Sequence, residues 1–137
     1  MIKAVIFDCF GVVLDIMRGT QIAPTVELIK ELKGQYGLGL LTNAPSRYSL
    51  DQRFKPGELD ELFEVIVISG EVGWDKPAPE IYTMAVEKMG VLPEECLFID
   101  DVPAFTEAAA AIGMQTITFV NAPEIITAIK AKLEESK

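Results

Sequence analysis

Three short stretches of the sequence carry residues that suit phosphate and metal chemistry, and each follows an apolar run. Asp8 comes directly after the first run, Thr42-Asn43 closes the second, and the pair Asp100-Asp101 follows the fourth. Carboxylates that converge in an already acidic protein repel one another, and a hard divalent cation such as Mg²⁺ relieves that repulsion. These residue types therefore predict a magnesium site, provided that the fold brings the stretches together.

A lysine supplies the counter-charge that such a site needs. Lys76 lies in a loop that two nearby prolines stiffen. Held near Asp8, its ammonium group would neutralise a phosphoryl group, and Thr42 and Asn43 would donate hydrogen bonds to the same oxygens. The alternatives are ordinary: a loop lysine is commonly just solvated, and Thr42-Asn43 could cap a following helix.

The elements that must position these residues are five apolar runs that alternate with helical patterns. The runs are continuously apolar, as in parallel strands covered on both faces, and span 2–7, 38–41, 65–68, 96–99 and 116–120. Helices are predicted over 24–32, over 79–89 with Gly90 as C-cap, over 103–112 ending at Gly113, and over 123–133. Residues 47–63 are less regular and predict a short helix and a turn at Pro56-Gly57.

This alternation predicts an α/β fold, a doubly wound, Rossmann-like, three-layer α/β/α domain with a parallel sheet of about five strands in the order 3-2-1-4-5. The winding reverses between the first and fourth strands, and ligands bind beyond the carboxyl ends of strands at such a point. Asp8, Thr42, Asp100 and Asp101 should therefore meet there. We expect one domain over 1–137.

Composition excludes two classes of partner. The chain has 12 Lys+Arg against 21 Asp+Glu, a formal net charge of -9, which argues against a nucleic-acid groove. No stretch approaches the roughly 20 apolar residues of a membrane span, so we expect a cytoplasmic protein that binds neither nucleic acid nor membrane. Cys9 and Cys96 lie in apolar runs without metal-ligand spacing and are predicted to be buried, reduced thiols.

The sequence resembles the haloacid dehalogenase (HAD) superfamily in four motifs that occur in the family's order. They are 7–13 for the first, 41–43 for the second, 76–82 for the third, and 98–101 followed by 108–109 and 112–114 for the fourth. The resemblance implies a HAD hydrolase of the phosphatase type, in which Asp8 attacks phosphorus and forms an aspartyl-phosphate that water hydrolyses.

The same resemblance implies a role for each candidate residue. Mg²⁺ would be held by Asp8, by the backbone carbonyl of Phe10, and by Asp101 with help from Asp100. Thr42 and Lys76 would bind the phosphoryl group and take part in catalysis. Asn43 is expected to bind the same group because of its position after the second strand. The expected partner is a small phosphorylated substrate.

Two departures from the family pattern qualify this expectation. Family phosphatases usually carry a second Asp two residues after the nucleophile as general acid and base, and here that residue is Phe10. The family also usually inserts a helical cap domain where this chain has only about ten residues, 14–23. A slow and unselective capless phosphatase is therefore expected.

Three other readings stay open on the sequence. One is a catalytically impaired core, either a natural relative or a scaffold whose cap was deleted. The others are a 2-haloacid dehalogenase and a phospho-receiver module, although receivers carry their acidic pair after the first strand. An apolar rim at Phe10, Val12 and Val13 would also allow a homo-oligomer that covers the open site.

Overall fold

A parallel sheet of five strands forms the centre of the computed structural model, which describes residues 1–121 and 123–137. The strands are β1 (Ala4–Phe7), β2 (Gly37–Thr42), β3 (Val65–Ile68), β4 (Cys96–Asp100) and β5 (Gln115–Thr118). Their order is β3-β2-β1-β4-β5, and every neighbouring pair is parallel. The predicted fold class and strand order are confirmed; β3 has the predicted ends, and the ends of the other strands differ by at most two residues.

Helices connect the strands and cover both faces of the sheet. They are α1 (Ala23–Leu32), α2 (Arg47–Asp51), α3 (Glu58–Leu62), α4 (Ser69–Val72), α5 (Pro79–Met89), α6 (Pro103–Ala111) and α7 (Glu124–Glu135), with a 3₁₀ turn at Pro93–Glu95. The prediction for α5 is confirmed at both ends: Pro79 occupies the first turn, and Gly90 ends the helix in the left-handed conformation with φ 72°.

The region between β2 and α5 differs from the prediction in two respects. Residues 47–63 hold two short helices, α2 and α3, where one was predicted, and Pro56-Gly57 forms the turn between them. Helix α4 has four residues and was not predicted. An amphipathic pattern needs more than one turn to be recognised, so elements of this length leave little trace in the sequence.

The hydrophobic core is divided by the sheet into two layers. Val5 and Phe7 of β1 point into one layer, which also contains the apolar faces of α1 and α7. Ala4 and Ile6 point into the other, together with residues of α5 and α6. Because alternate residues of the central strand are buried on opposite faces, its sequence reads as a continuous apolar run.

The loop after β1 turns back sharply. The Cys9 carbonyl accepts hydrogen bonds from the amides of Val12, Val13 and Leu14, at 3.3, 2.8 and 2.9 Å. This turn buries Val12 and Val13 completely, so the predicted apolar rim is wrong for these two residues, while Phe10 is half-buried.

Residues 14–22 form a tight loop instead of a helical insertion. Leu14 and Gln21 form a bridge that closes it, and Asp15 Oδ1 accepts hydrogen bonds from the backbone amides of Met17 and Arg18, at 2.9 Å each. Ile16 and Met17 of this loop are large apolar side chains that are exposed.

Among the described residues, no helix combines the length and the apolar character needed to cross a membrane.

Candidate active site at the carboxyl end of the sheet

Strand register places the acidic residues side by side. Phe7 pairs with Ile99 across β1 and β4, and the Asp8 amide donates to the Ile99 carbonyl at 2.8 Å. The next residue along the chain is a carboxylate in both cases: Asp8 directly follows β1, and Asp100 ends β4. Both side chains are buried. On the other side of β1, Phe7 pairs with Leu40, so Thr42 ends β2 one residue beyond the level of Asp8.

Lys76 joins the two carboxylates. Its Nζ donates to Asp8 Oδ1 and to Asp100 Oδ2, at 2.7 Å in each case, and the residue is only 3% exposed. The ammonium group also lies 5.6 Å from the centre of the Phe98 ring and 5.1 Å from that of Phe105. Two anions and two aromatic faces therefore hold this cation, and the predicted placement of Lys76 beside Asp8 is observed.

Asn43 holds the backbone of Lys76 in place. Its Nδ2 donates to the Lys76 carbonyl at 3.1 Å, and its Oδ1 accepts from the Lys76 amide at 2.9 Å. The side chain thus fastens the loop before α5 to the end of β2. Sequence reasoning assigned Asn43 to phosphoryl binding; that assignment stays a prediction, and the structure adds this contact with the Lys76 backbone.

The third carboxylate, Asp101, completes an acidic cluster. One oxygen each of Asp8, Asp100 and Asp101 lie within 4.8 Å of one another. The two Asp100 oxygens already accept hydrogen bonds, one from Lys76 and one from the Val102 amide at 3.0 Å, whereas Asp101 is only partly buried. Asp8 and Asp101 are therefore the better placed of the three to hold a metal ion, with Asp100 behind them.

Gly11 allows Asp101 to come this close. The glycine has φ +94°, and a β-carbon at this position would overlap the Asp101 carboxylate. Both the backbone conformation and the lack of a side chain are thus needed here. In this turn the Leu14 amide donates to the Cys9 carbonyl, and the Leu14 carbonyl accepts from the Gly11 amide. The Phe10 carbonyl between them has no amide donor among the described residues.

A cavity of about 160 Å³ opens above these groups. It is lined by Asp8, Phe10, Ile16, Thr42, Asn43, Lys76, Asp101, Val102 and Phe105. Thr42 is buried, and its hydroxyl has no hydrogen-bond partner among the described residues. A buried hydroxyl without a partner is costly. An oxygen-rich ligand seated in the cavity would supply the partner.

Burial and crowding favour the protonated form of the acids in the absence of a cation. Burial, with the negative charges of Asp100 and Asp101, raises the pKa of Asp8 to about 7, although Lys76 opposes the shift. Burial and the charge of Asp100 also raise the pKa of Asp101. Three carboxylates against one ammonium group leave an excess of two negative charges when all are ionised. Hard oxygen ligands with excess negative charge suit Mg²⁺.

The two cysteines take no part in the chemistry of the acidic cluster. Both are buried and unpaired. Burial raises the pKa of each thiol to about 12, and the nearby Asp8 adds to the shift of Cys9. Neither thiol is a nucleophile at neutral pH, in agreement with the prediction of inert, reduced residues.

The structure thus brings together every residue that the sequence singled out for the site. The residues that sequence reasoning missed are apolar: Ile16, Val102 and Phe105 line the cavity, and Phe98 packs below the lysine. Val102 and Phe105 follow Asp101 within four positions of the sequence. This short separation could have predicted that they lie near the site.

Comparison with known proteins identifies what this arrangement is similar to. The family model described as haloacid dehalogenase-like hydrolase matches residues 14–119. The phosphorylated carbohydrates phosphatase of Thermotoga maritima is 35% identical over 80 residues, which are 58% of this chain and 37% of the relative. Phosphatase MT3486 of Mycobacterium tuberculosis is 33% identical over 104 residues, 74% of this chain and 48% of the relative. The matched segments therefore span less than half of either relative.

A solved structure shares the fold over nearly its whole length. A single-residue mutant of a HAD family enzyme from Bacteroides thetaiotaomicron, in complex with magnesium and inorganic phosphate, superposes with a TM-score of 0.78 at 19% identity. The match covers 90% of this chain and 96% of that one.

Proposed function

The chain belongs to the haloacid dehalogenase-like hydrolase family, and we propose that it is a Mg²⁺-dependent phosphatase that works through an aspartyl-phosphate on Asp8. The observation that carries the proposal is the position of Asp8. Its carboxylate accepts a hydrogen bond from the Lys76 ammonium group, and Asp8 lines one cavity with the partly exposed Asp101 and with Thr42, whose buried hydroxyl has no partner among the described residues. Relatives named as phosphatases support a small phosphorylated substrate.

Each residue has a part that follows from its contacts. An oxygen of Asp8 attacks phosphorus while the bond from phosphorus to the ester oxygen breaks, and the departing oxygen takes a proton from water. Lys76 stabilises charge on the phosphoryl oxygens, and the Thr42 hydroxyl donates a hydrogen bond to one of them. Water then attacks the aspartyl-phosphate, which releases inorganic phosphate and restores the Asp8 carboxylate.

Mg²⁺, when bound, would add positive charge next to the phosphoryl oxygens. Asp8, Asp101 and the Phe10 carbonyl would hold it, with Asp100 supporting them from behind. The fit rests on the excess of carboxylates, on the carbonyl without a backbone donor, and on the hard oxygen character of all these groups. A solved relative of the same fold crystallised with magnesium supports this assignment.

Phe10 determines which substrates such a site can use. The family resemblance places a general acid two residues after the nucleophile, and in this chain that residue is Phe10, which lines the cavity. General acid–base catalysis contributes about 10²–10⁴-fold. We therefore expect phosphate esters with good leaving groups to be cleaved and sugar phosphates to be nearly inert.

We also propose a cytoplasmic location, since two buried free thiols suit a reducing compartment.

The test is hydrolysis of aryl phosphates with Mg²⁺ and with a chelator, beside the variant Asp8→Asn. We expect turnover that requires Mg²⁺ and is lost in the variant. Full-rate turnover by Asp8→Asn, or turnover that the chelator leaves intact, would contradict the proposal. Halide release from a 2-haloacid without phosphatase activity would favour the dehalogenase reading instead.

A further inference from the structure

A second cleft adjoins the phosphoryl cavity. It has a volume of about 410 Å³, against about 160 Å³ for the phosphoryl cavity, and both are lined by Ile16 and Asp101. The smaller cavity suffices for a phosphoryl group and its ligands. The larger one lies in the range of pockets that bind small organic molecules. An ester whose phosphorus sits at Asp8 can therefore extend past Ile16 into the larger cleft.

The walls of this cleft are mainly apolar and unusually exposed. Ile16 is 64% exposed, Met17 92% and Val120 79%, and Ile22 and Phe119 lie beneath them. Large apolar side chains that group around one opening commonly mark a binding site. A ligand that covers them would remove apolar surface from water on both sides of the contact.

The polar residues of the cleft disfavour an anionic occupant. Asp15 and Asp101 contribute carboxylates, and Asn121 is neutral. No lysine or arginine occurs among the lining residues in the part of the chain that the structure describes. Mg²⁺ would balance the charge of Asp101, but Asp15 has no cation beside it among the lining residues that the structure describes. A second phosphate or a carboxylate on the leaving group would therefore meet the negative charge of Asp15.

From these observations we propose that the cleft is the leaving-group subsite, and that it selects uncharged aryl or other apolar leaving groups over anionic ones. The proposal rests on the proposed function, because it takes Asp8 as the point of attack. It also goes beyond that function by naming the class of substrate. The preference comes from contacts with Met17 and Val120, so it is separate from the leaving-group effect expected from Phe10.

The test measures binding and not turnover, so that it does not depend on catalysis. Calorimetric titration of the Mg²⁺-loaded protein compares naphthylmethylphosphonate, methylphosphonate and the anionic phosphonoacetate. We expect the naphthyl ligand to bind about tenfold or more tightly than methylphosphonate, since burying an aromatic ring readily supplies that factor. Phosphonoacetate should bind no better than methylphosphonate.

Two variants test whether the tighter binding of the naphthyl ligand arises in the cleft. The double substitution Met17→Ser with Val120→Ser should reduce the naphthyl preference several-fold. Leu92→Ser, which removes an exposed leucine that does not line the cleft, should retain it. A wild type without naphthyl preference, or with no detectable binding, overturns the proposal, as does a preference that survives the double substitution.

Two further results would separate the subsite from a subunit interface and from the proposed phosphatase activity. If sedimentation shows a dimer that the double substitution dissociates, the exposed side chains belong to a subunit interface, and the subsite is overturned. If Mg²⁺-dependent hydrolysis is absent while the naphthyl preference depends on Met17 and Val120, the cleft stands as a ligand site and the proposed phosphatase activity fails.

Discussion

Replacing Lys76 by Met should destabilise the protein by an amount that grows with pH above neutrality. The lysine is buried and donates to Asp8 and Asp100, both buried. Removing one member of a buried ionic cluster typically costs about 3–5 kcal/mol, because the remaining charges lose their compensation. Met keeps most of the side-chain volume, so the loss reflects charge more than a cavity.

The pH dependence follows from the pKa of Asp8. In the wild type without metal, that pKa is raised from 3.8 to about 7. A raised acid pKa means that stability falls as the pH rises from about 4 to about 7, then levels off. Lys76 lowers the pKa of Asp8, so without it the pKa lies higher still. The variant therefore continues to lose stability above pH 7, by up to about 1.4 kcal/mol per pH unit relative to the wild type.

Urea unfolding between pH 6 and 8.5 in chelator measures this difference. Lys88→Met is the matched control, since it makes the same substitution at an exposed position of α5. It should change stability by no more than about 0.5 kcal/mol. The difference in unfolding free energy between the wild type and Lys76→Met should widen as the pH rises. A difference that stays constant or narrows would refute the electrostatic account of the cluster.

Three shorter predictions concern the metal, the acid–base position and the thiols. Saturating Mg²⁺ should raise the melting temperature, by the equivalent of about 2.7 kcal/mol at a hundred times its Kd; Asp101→Asn should abolish most of the shift, and an equal shift in that variant would remove Asp101 from the site. Phe10→Asp should increase the turnover of alkyl phosphates, by up to ~10²–10⁴-fold, and a wild-type rate that is independent of leaving-group pKa would show that another group already supplies the proton. Cys9 and Cys96, with pKa values of about 12, should resist thiol reagents at pH 8 until the protein unfolds, so rapid labelling of the folded protein would contradict their burial.

The fold was predictable because its strands are short, apolar and buried on both faces. Such runs are recognisable without knowing their partners, and the right-handed crossover rule then limits the topology. The acidic pair at 100–101 and the single Asp8 could be placed at one edge of the sheet for the same reason. Helices α2, α3 and α4 were harder to define, because elements of four or five residues carry too little periodicity.

The contacts that individual side chains make were harder to predict from the sequence than the fold. Asn43 was expected to bind the phosphoryl group, and the structure adds a contact that the sequence did not predict, from its amide to the Lys76 backbone. The partner of an amide depends on the position of a loop 33 residues away in sequence. Val12 and Val13 were expected on an exposed rim, and a local turn around the Cys9 carbonyl buries them. Sequence patterns specify which residues are apolar, but tertiary packing decides which way a short loop turns.

The most direct test of the central claim is detection of the phosphoryl group on Asp8. Without an acid–base residue at position 10, hydrolysis of the aspartyl-phosphate should be slow, so the intermediate should accumulate during turnover of an aryl or acyl phosphate. Rapid acid quench followed by peptide mass spectrometry should show a hydroxylamine-sensitive phosphoryl group on the peptide that contains Asp8, only when Mg²⁺ is present and not in Asp8→Asn. Turnover that proceeds without this adduct, or an adduct on a different residue, would contradict the account.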